Sequence, residues 1–156
     1  MLRALLVLFC LLPLQAATII LVRHAEKAGP TGDVPLNALG LERASLLAKT
    51  LADVKLTAIY TTELQRTRQT AEPTAKAQSI TPTILVAKDL EGLLKQLKAA
   101  APTDIILVVS HSNLVPTIAE RLATKIPPMD DSDYSRLIVI NTTASPANLI
   151  TLRYGH

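Results

Sequence analysis

Thr18-Ile19-Ile20-Leu21-Val22-Arg23-His24-Ala25-Glu26-Lys27 is the stretch whose reading decides the fold. Thr18 to Val22 is an unbroken apolar and β-branched run, too short for a helix, and reads as a strand buried on both faces. It passes directly into Arg23 and His24. A charged pair at the end of such a strand lies outside the core, at the carboxyl edge of an open α/β sheet, where ligands bind. Asp104-Ile105-Ile106-Leu107-Val108-Val109-Ser110-His111 repeats the pattern. Two buried strands therefore each deliver a histidine.

Between and after these strands, helical and extended segments alternate. The residues from Ala28 to Pro35 hold two glycines and two prolines and form a loop directly beyond His24, so Glu26, Lys27 and Asp33 are candidates to line a site. Leu36 to Asp53 has the apolar spacing of an amphipathic helix. Leu56 to Thr61 is a second strand, and Thr61-Thr62 offers a cap to a helix from Glu63 to Gln78, interrupted or kinked near Pro73. Ile80 to Val86 is a third strand, confined to an edge by Pro82. Asp89 to Ala101 is helical. Ser112 and Asn113 are positioned to cap a helix from Leu114 to Thr124, with Pro116 in its first turn. Arg136 to Asn141 and Asn148 to Arg153 alternate as a closing antiparallel pair. The alternation gives a three-layer α/β/α sandwich with a mainly parallel sheet in one domain.

The first residues have a different grammar. Met1-Leu2-Arg3, an apolar run from Ala4 to Leu12, Pro13 and then small residues read as a signal peptide over 1–16, leaving a domain at 17–156. The run is too short to span a bilayer, although retention as an anchor is the alternative. Bulky Leu8 and Phe9 before Cys10 argue against lipidation. Export to a periplasm or secretion is the expectation, with no stable membrane association after cleavage. Cleavage would also remove Cys10, the sole cysteine, so neither a disulfide nor a thiolate enters the chemistry.

Charge is close to balanced, with 16 basic and 13 acidic residues; there is no Lys/Arg run and no Trp, and aromatics make up 3%. Nucleic-acid binding is therefore excluded as a reading. What remains is a crevice where Arg23, His24, Arg66, Arg68 and His111 converge if their elements are neighbours. Guanidinium forks match phosphate oxygens and stay charged, and a neutral imidazole is a nucleophile able to carry a phosphoryl group. The amide groups opening the helix after His111 would add to an anion site.

Four segments carry a resemblance: "LVRHAEKA", with Ala25 where the pattern has Gly; "DVPLNALGLERASLLAKTL"; "IYTTELQRTRQTAE"; and "ILVVSHSNLVPTIAERL". In this order they resemble the histidine phosphatase superfamily, the phosphoglycerate mutase-like fold, over nearly the whole domain. The resemblance implies a phosphatase in which His24 becomes phosphohistidine. It implies a phosphate pocket of Arg23, Arg66 rather than Arg68, His111 and Ser112. No metal or cofactor is implied. The catalytic acid of larger members has no counterpart, since Ser112 follows His111 and the segment Leu85 to Leu97 is short. Glu26, Asp89 and Glu91 are the candidates, each with a plainer reading as a surface salt bridge or a helix-start carboxylate. A missing acid suits substrates with good leaving groups: an acyl phosphate, phosphohistidine or an activated ester. A phosphorylated small molecule, a glycolipid head group or a phosphoprotein could enter an uncapped pocket. Asp130, Asp131 and Asp133 read as a solvated loop. The rival class is a non-catalytic phosphate-binding module, and a mutase is disfavoured by export and short length.

Overall fold

The computed structural model describes residues 17–155, so the segment 1–16 that reads as a signal peptide and His156 lie outside the described residues. Six strands and four helices follow one another as β1 (Thr18–Arg23), α1 (Ala38–Thr50), β2 (Ala58–Thr62), α2 (Gln65–Gln78), β3 (Thr83–Leu85), α3 (Leu90–Lys98), β4 (Ile105–Ser110), α4 (Leu114–Leu122), β5 (Arg136–Asn141) and β6 (Asn148–Arg153). The strands form one sheet in the order β3-β2-β4-β1-β5-β6. The first four of these pair in parallel, and β5 and β6 close the sheet antiparallel. The expected α/β/α architecture with a mainly parallel sheet is present.

The period-two geometry of a strand explains why β1 and β4 read as continuous apolar runs. Ile19 and Leu21 face one layer with Ile106, Val108, Leu94, Leu97, Val115 and Ile118, under α3 and α4. Ile20 and Val22 face the other with Leu107, Val109, Leu47, Leu51, Ala71 and Ala75, under α1 and α2. Each central strand is thus covered on both faces, and no polar residue is tolerated until it reaches the rim.

Several boundaries differ from the sequence reading for local reasons. α2 runs through Pro73 without interruption. Its inward face is not apolar: Thr67, Thr70 and Thr74 are buried with Ala71 and Ala75, and these short side chains let the helix lie close to the sheet. Thr61 and Thr62 do not cap it, because Leu64 occupies the cap position; Asp33 from the preceding loop instead accepts a hydrogen bond from the Gln65 amide at 2.7 Å. α4 likewise has Asn113 at its N-cap without a side-chain bond. β3 is the edge strand that Pro82 implied, shortened to three residues.

α1 starts against the chain just past His24. A methyl group built on Gly40 would lie 2.2 Å from the Glu26 carbonyl oxygen, so only glycine lets the helix approach this backbone. Gly40→Ala gains about 1 kcal/mol of helix propensity but meets an immovable peptide. We expect a net destabilisation of about 1–3 kcal/mol in urea unfolding; unchanged or raised stability would show that the approach is looser than described.

Candidate active site

The register of the two central strands makes the site. Arg23 pairs with Ser110, and the His24 amide donates to the Ser110 carbonyl at 2.8 Å, so the next residues on the two strands, His24 and His111, leave the sheet side by side. Their rings are 5.4 Å apart between centroids, at 61°. Both are buried, with 4% and 8% exposure. They line a cavity of about 500 Å³ with Arg23, Arg66, Ser112, Lys27, Pro30, Asn113, Asp131 and Tyr134.

α2 holds the loop 25–36 in place along one of its sides. Gln65 bonds Asp33, Arg66 Nη1 donates to the Gly32 carbonyl at 3.1 Å, Gln69 Oε1 accepts from the Leu36 amide at 2.7 Å, and Thr70 Oγ1 accepts from the Ala25 amide at 2.9 Å. The last bond fixes the Ala25 peptide, whose carbonyl lies 2.8 Å from His24 Nδ1. A carbonyl can only accept, so Nδ1 carries the proton and Nε2 keeps the lone pair. Ala25, in place of the pattern's Gly, is fully buried with Leu36 and Ala44, and its methyl group is absorbed by packing.

The guanidiniums are held by the loops around the cavity. Arg23 Nη1 donates to the Asp130 and Asp131 carbonyls at 2.8 and 3.3 Å, and its planar head lies 4.1 Å over the Tyr134 ring. The Nε groups of Arg23 and Arg66 are both buried and have no partner. Two guanidiniums with an unpartnered Nε–H, beside two imidazoles in one cavity, suit an anion, since an unmade buried hydrogen bond to a charged group is costly. Burial is the main reason both imidazoles resist protonation. It pulls His24 to about 3, helped by His111, Arg23 and Arg66 and opposed by the Ala25 carbonyl. It pulls His111 to about 4, helped by Arg66 and Arg23 and opposed by Glu63.

Arg23, His24, Arg66, His111 and Ser112 share the cavity, and Arg68 turns instead to a groove beside Gln65, Glu72 and Lys76. The carboxylates expected at the site lie elsewhere. Glu26 is clamped by Arg43, with Nε at 2.8 and 3.0 Å and Nη2 at 2.8 Å, and does not line the cavity. Glu91 makes a two-point pair with Arg121 on the exposed surface of α3 and α4. Asp89 caps α3 through the Gly92 amide. Each carboxylate went to a nearer cation or helix end. The amides of Leu114 and Val115 close back on the His111 carbonyl, so the α4 terminus contributes Ser112 and Asn113 rather than its first helical N–H groups. Asp133 is no solvated loop residue: it is buried and paired with Arg136 and Arg153. Arg136 also holds the Pro127 and Pro128 carbonyls. This knot braces the loop that brings Asp130, Asp131 and Tyr134 to Arg23. Tyr134, Asn113 and the Asp131 side of the cavity were missed, and a single Tyr inside an acidic loop gave no periodic or spacing signal.

A family model described as histidine phosphatase superfamily, branch 1, matches residues 19–91, the span from β1 into α3 that contains Arg23, His24 and Arg66. Over that span the chain is similar to the histidine phosphatase superfamily. No curated protein matches it by sequence. Solved structures match it in fold, at low identity. A protein of Escherichia coli K-12 assigned as an alpha-ribazole-5'-P phosphatase superposes with a TM-score of 0.73 at 18% identity, covering 89% of this chain and 97% of its own. One of Agrobacterium tumefaciens assigned as the phosphohistidine phosphatase SixA gives 0.69 at 21%, covering 87% and 97%. A mycobacterial glucosyl-3-phosphoglycerate phosphatase gives 0.68 at 13%, covering 90% and 99%. Over this superfamily fold, the present chain places the second histidine in register with the first.

Two outcomes follow from the site. Unfolded histidines bind protons near their ordinary value of 6.5, whereas His24 and His111 do so only at about 3 and 4. Stability contributed by keeping them neutral is full above about pH 6.5 and is lost as pH falls toward their folded values. Urea midpoints at about pH 7 and 4.5 should therefore differ, and the difference should shrink in His24→Asn; an equal drop in the variant would place the proton uptake elsewhere. Glu91→Gln and Arg68→Ala should leave phosphatase kcat/KM within about twofold, as expected of exposed pairs and surface charges; a loss of an order of magnitude in either would return that residue to the site.

Proposed function

We propose that this chain is an exported, metal-independent phosphatase that works through a phosphohistidine on His24. The observation that supports it most is the pairing of a neutral His24, its Nδ1–H committed to the Ala25 carbonyl, with the two unpartnered Nε–H donors of Arg23 and Arg66. In the first half-reaction the Nε2 lone pair forms the N–P bond as the P–O bond to the leaving group breaks. Arg23 and Arg66 balance the charge on the equatorial oxygens, which is most of what such a transition state requires. A water oxygen then displaces Nε2 from phosphorus, releasing inorganic phosphate and restoring the imidazole.

The carboxylate positions bear on the substrate. With Glu26 bound to Arg43 and Glu91 to Arg121, neither can protonate a departing alkoxide, so compounds whose leaving group needs little help are favoured. Phosphohistidine, an acyl phosphate or an aryl ester fits that demand. The likeness to structures assigned as a phosphohistidine phosphatase and a glucosyl-3-phosphoglycerate phosphatase supports a phosphorylated small molecule or phosphoprotein as substrate. Export rests on the N-terminal grammar of residues 1–16, and a glycolipid head group remains within reach of that location.

The test is a panel running from acetyl phosphate and para-nitrophenyl phosphate to a phosphohistidine peptide, a sugar phosphate and a phosphorylated head group, with chelator, for the mature chain and His24→Ala. We expect chelator-resistant turnover, falling as the leaving group worsens and reduced at least about 1000-fold in His24→Ala. No turnover above the variant on any member, with vanadate still bound, would replace this reading by a phosphate-binding module.

A further inference from the structure

His111 is tied to a run of buried hydroxyls that the phosphatase reading does not by itself require. Its Nε2 lies 3.0 Å from Thr62 Oγ1, which lies 2.9 Å from Thr67 Oγ1. Thr67 Oγ1 in turn lies 2.8 Å from the Leu64 carbonyl and 3.1 Å from the Thr62 carbonyl. Each of the three side chains is buried, so water does not supply a substitute partner.

Proton bookkeeping along this run has one solution. The two carbonyls only accept, so the single hydroxyl proton of Thr67 must go to one of them; otherwise its oxygen would face two carbonyl oxygens with no proton between. Thr67 can then only accept from Thr62, which places the Thr62 proton toward Thr67. The Thr62 oxygen is left as an acceptor, and it also receives the Leu64 amide at 3.4 Å. What faces it from His111 must therefore be an N–H.

We propose that Thr62 and Thr67 are positioning residues that hold His111 as its Nε2–H tautomer, so that Nδ1 is the ring nitrogen offered to the phosphoryl oxygens. This rests on the phosphatase reading for its consequence, though not for the tautomer itself. The two histidines then have opposite tautomers: His24 keeps Nδ1–H and presents Nε2, while His111 keeps Nε2–H and presents Nδ1. A neutral Nδ1 is a lone pair, which repels a phosphate dianion. Anion binding is accordingly coupled to uptake of one proton at Nδ1, giving a doubly protonated His111 between the hydroxyl run and the phosphoryl oxygens. The burial and the Arg66 charge that keep free His111 neutral are what make this uptake depend on the anion. This proton stays on the phosphoryl oxygens' side of the ring when the P–O bond breaks, so the leaving group still departs without a protein acid, in keeping with the preference for good leaving groups.

Nitrogen-15 spectra of the histidine side chains in the intact mature chain, without and with inorganic phosphate or vanadate, read this directly. The wild-type protein should show protonated Nε2 and unprotonated Nδ1 for His111, with both protonated once the anion is bound. Thr62→Ser should preserve the pattern, and Thr62→Val should shift it to Nδ1–H or a mixture. Thr67→Ala, which leaves the imidazole's own partner in place, should loosen the tautomer if Thr62→Val does not fold. kcat/KM toward para-nitrophenyl phosphate should fall at least about tenfold in Thr62→Val and recover in Thr62→Ser. An Nδ1–H His111 in the wild type, or an unchanged pattern in the folded Thr62→Val or Thr67→Ala variant, would overturn the proposal whether or not the chain proves to be a phosphatase. The predicted tautomers in a protein without turnover would instead overturn the phosphatase reading alone.

Discussion

Two guanidiniums and two imidazoles share one cavity, and the mutual repulsion of these groups is the constraint on which the surrounding structure depends. Arg23 and Arg66 stay charged under all ordinary conditions, so the histidines beside them must remain neutral. Burial enforces this, since an imidazolium withdrawn from water and facing two cations is doubly disfavoured. The result is a set of fixed positive charges beside an imidazole that does not lose its lone pair to a proton. An arriving phosphoryl group relieves the repulsion that the empty arrangement carries.

Holding such a set together falls to parts of the chain far apart in sequence. The β1–β4 register places the histidines side by side. Asp130 and Asp131 hold Arg23 through backbone carbonyls, which gives directional bonds without pairing its charge with a carboxylate. The buried Asp133–Arg136 pair steadies that loop, and breaking such a pair leaves an uncompensated charge inside the protein. α2 does the corresponding work on the other side. Its threonines reach Ala25 and Thr62, and Arg66 enters the cavity from the same turn. This explains why the inner face of α2 is threonine and alanine rather than leucine: the helix serves as a polar scaffold set close to the strand ends.

The sheet, the layers and the two histidines were legible because strand burial writes itself as apolar runs, and the rim writes itself as the charge that ends them. Arg23 was legible as the charge that ends β1, and Arg66 and Ser112 only through the resemblance of their segments to a known family. The carboxylates were not. Glu26 stands two residues from the nucleophile, yet its direction is decided by Arg43, seventeen positions away on α1, and no local pattern encodes that choice. Asp133 was read as solvated because its neighbours are acidic and prolines flank it; its partners, Arg136 and Arg153, lie on the closing strands. Tyr134 belongs to the same class. Such residues are placed by tertiary contacts, whereas periodicity reports only which face of an element is inward.

The central claim is that His24 itself carries the phosphoryl group. Mixing the mature protein with acetyl phosphate, quenching in alkaline denaturant and mapping the modified peptide by mass spectrometry tests it most directly. The account predicts one phosphoryl group on the imidazole of His24, stable to base and lost in mild acid, and accumulating further in a variant that slows the attack of water. Phosphate on another side chain, or rapid hydrolysis with His24 unmodified at every time sampled, would contradict it.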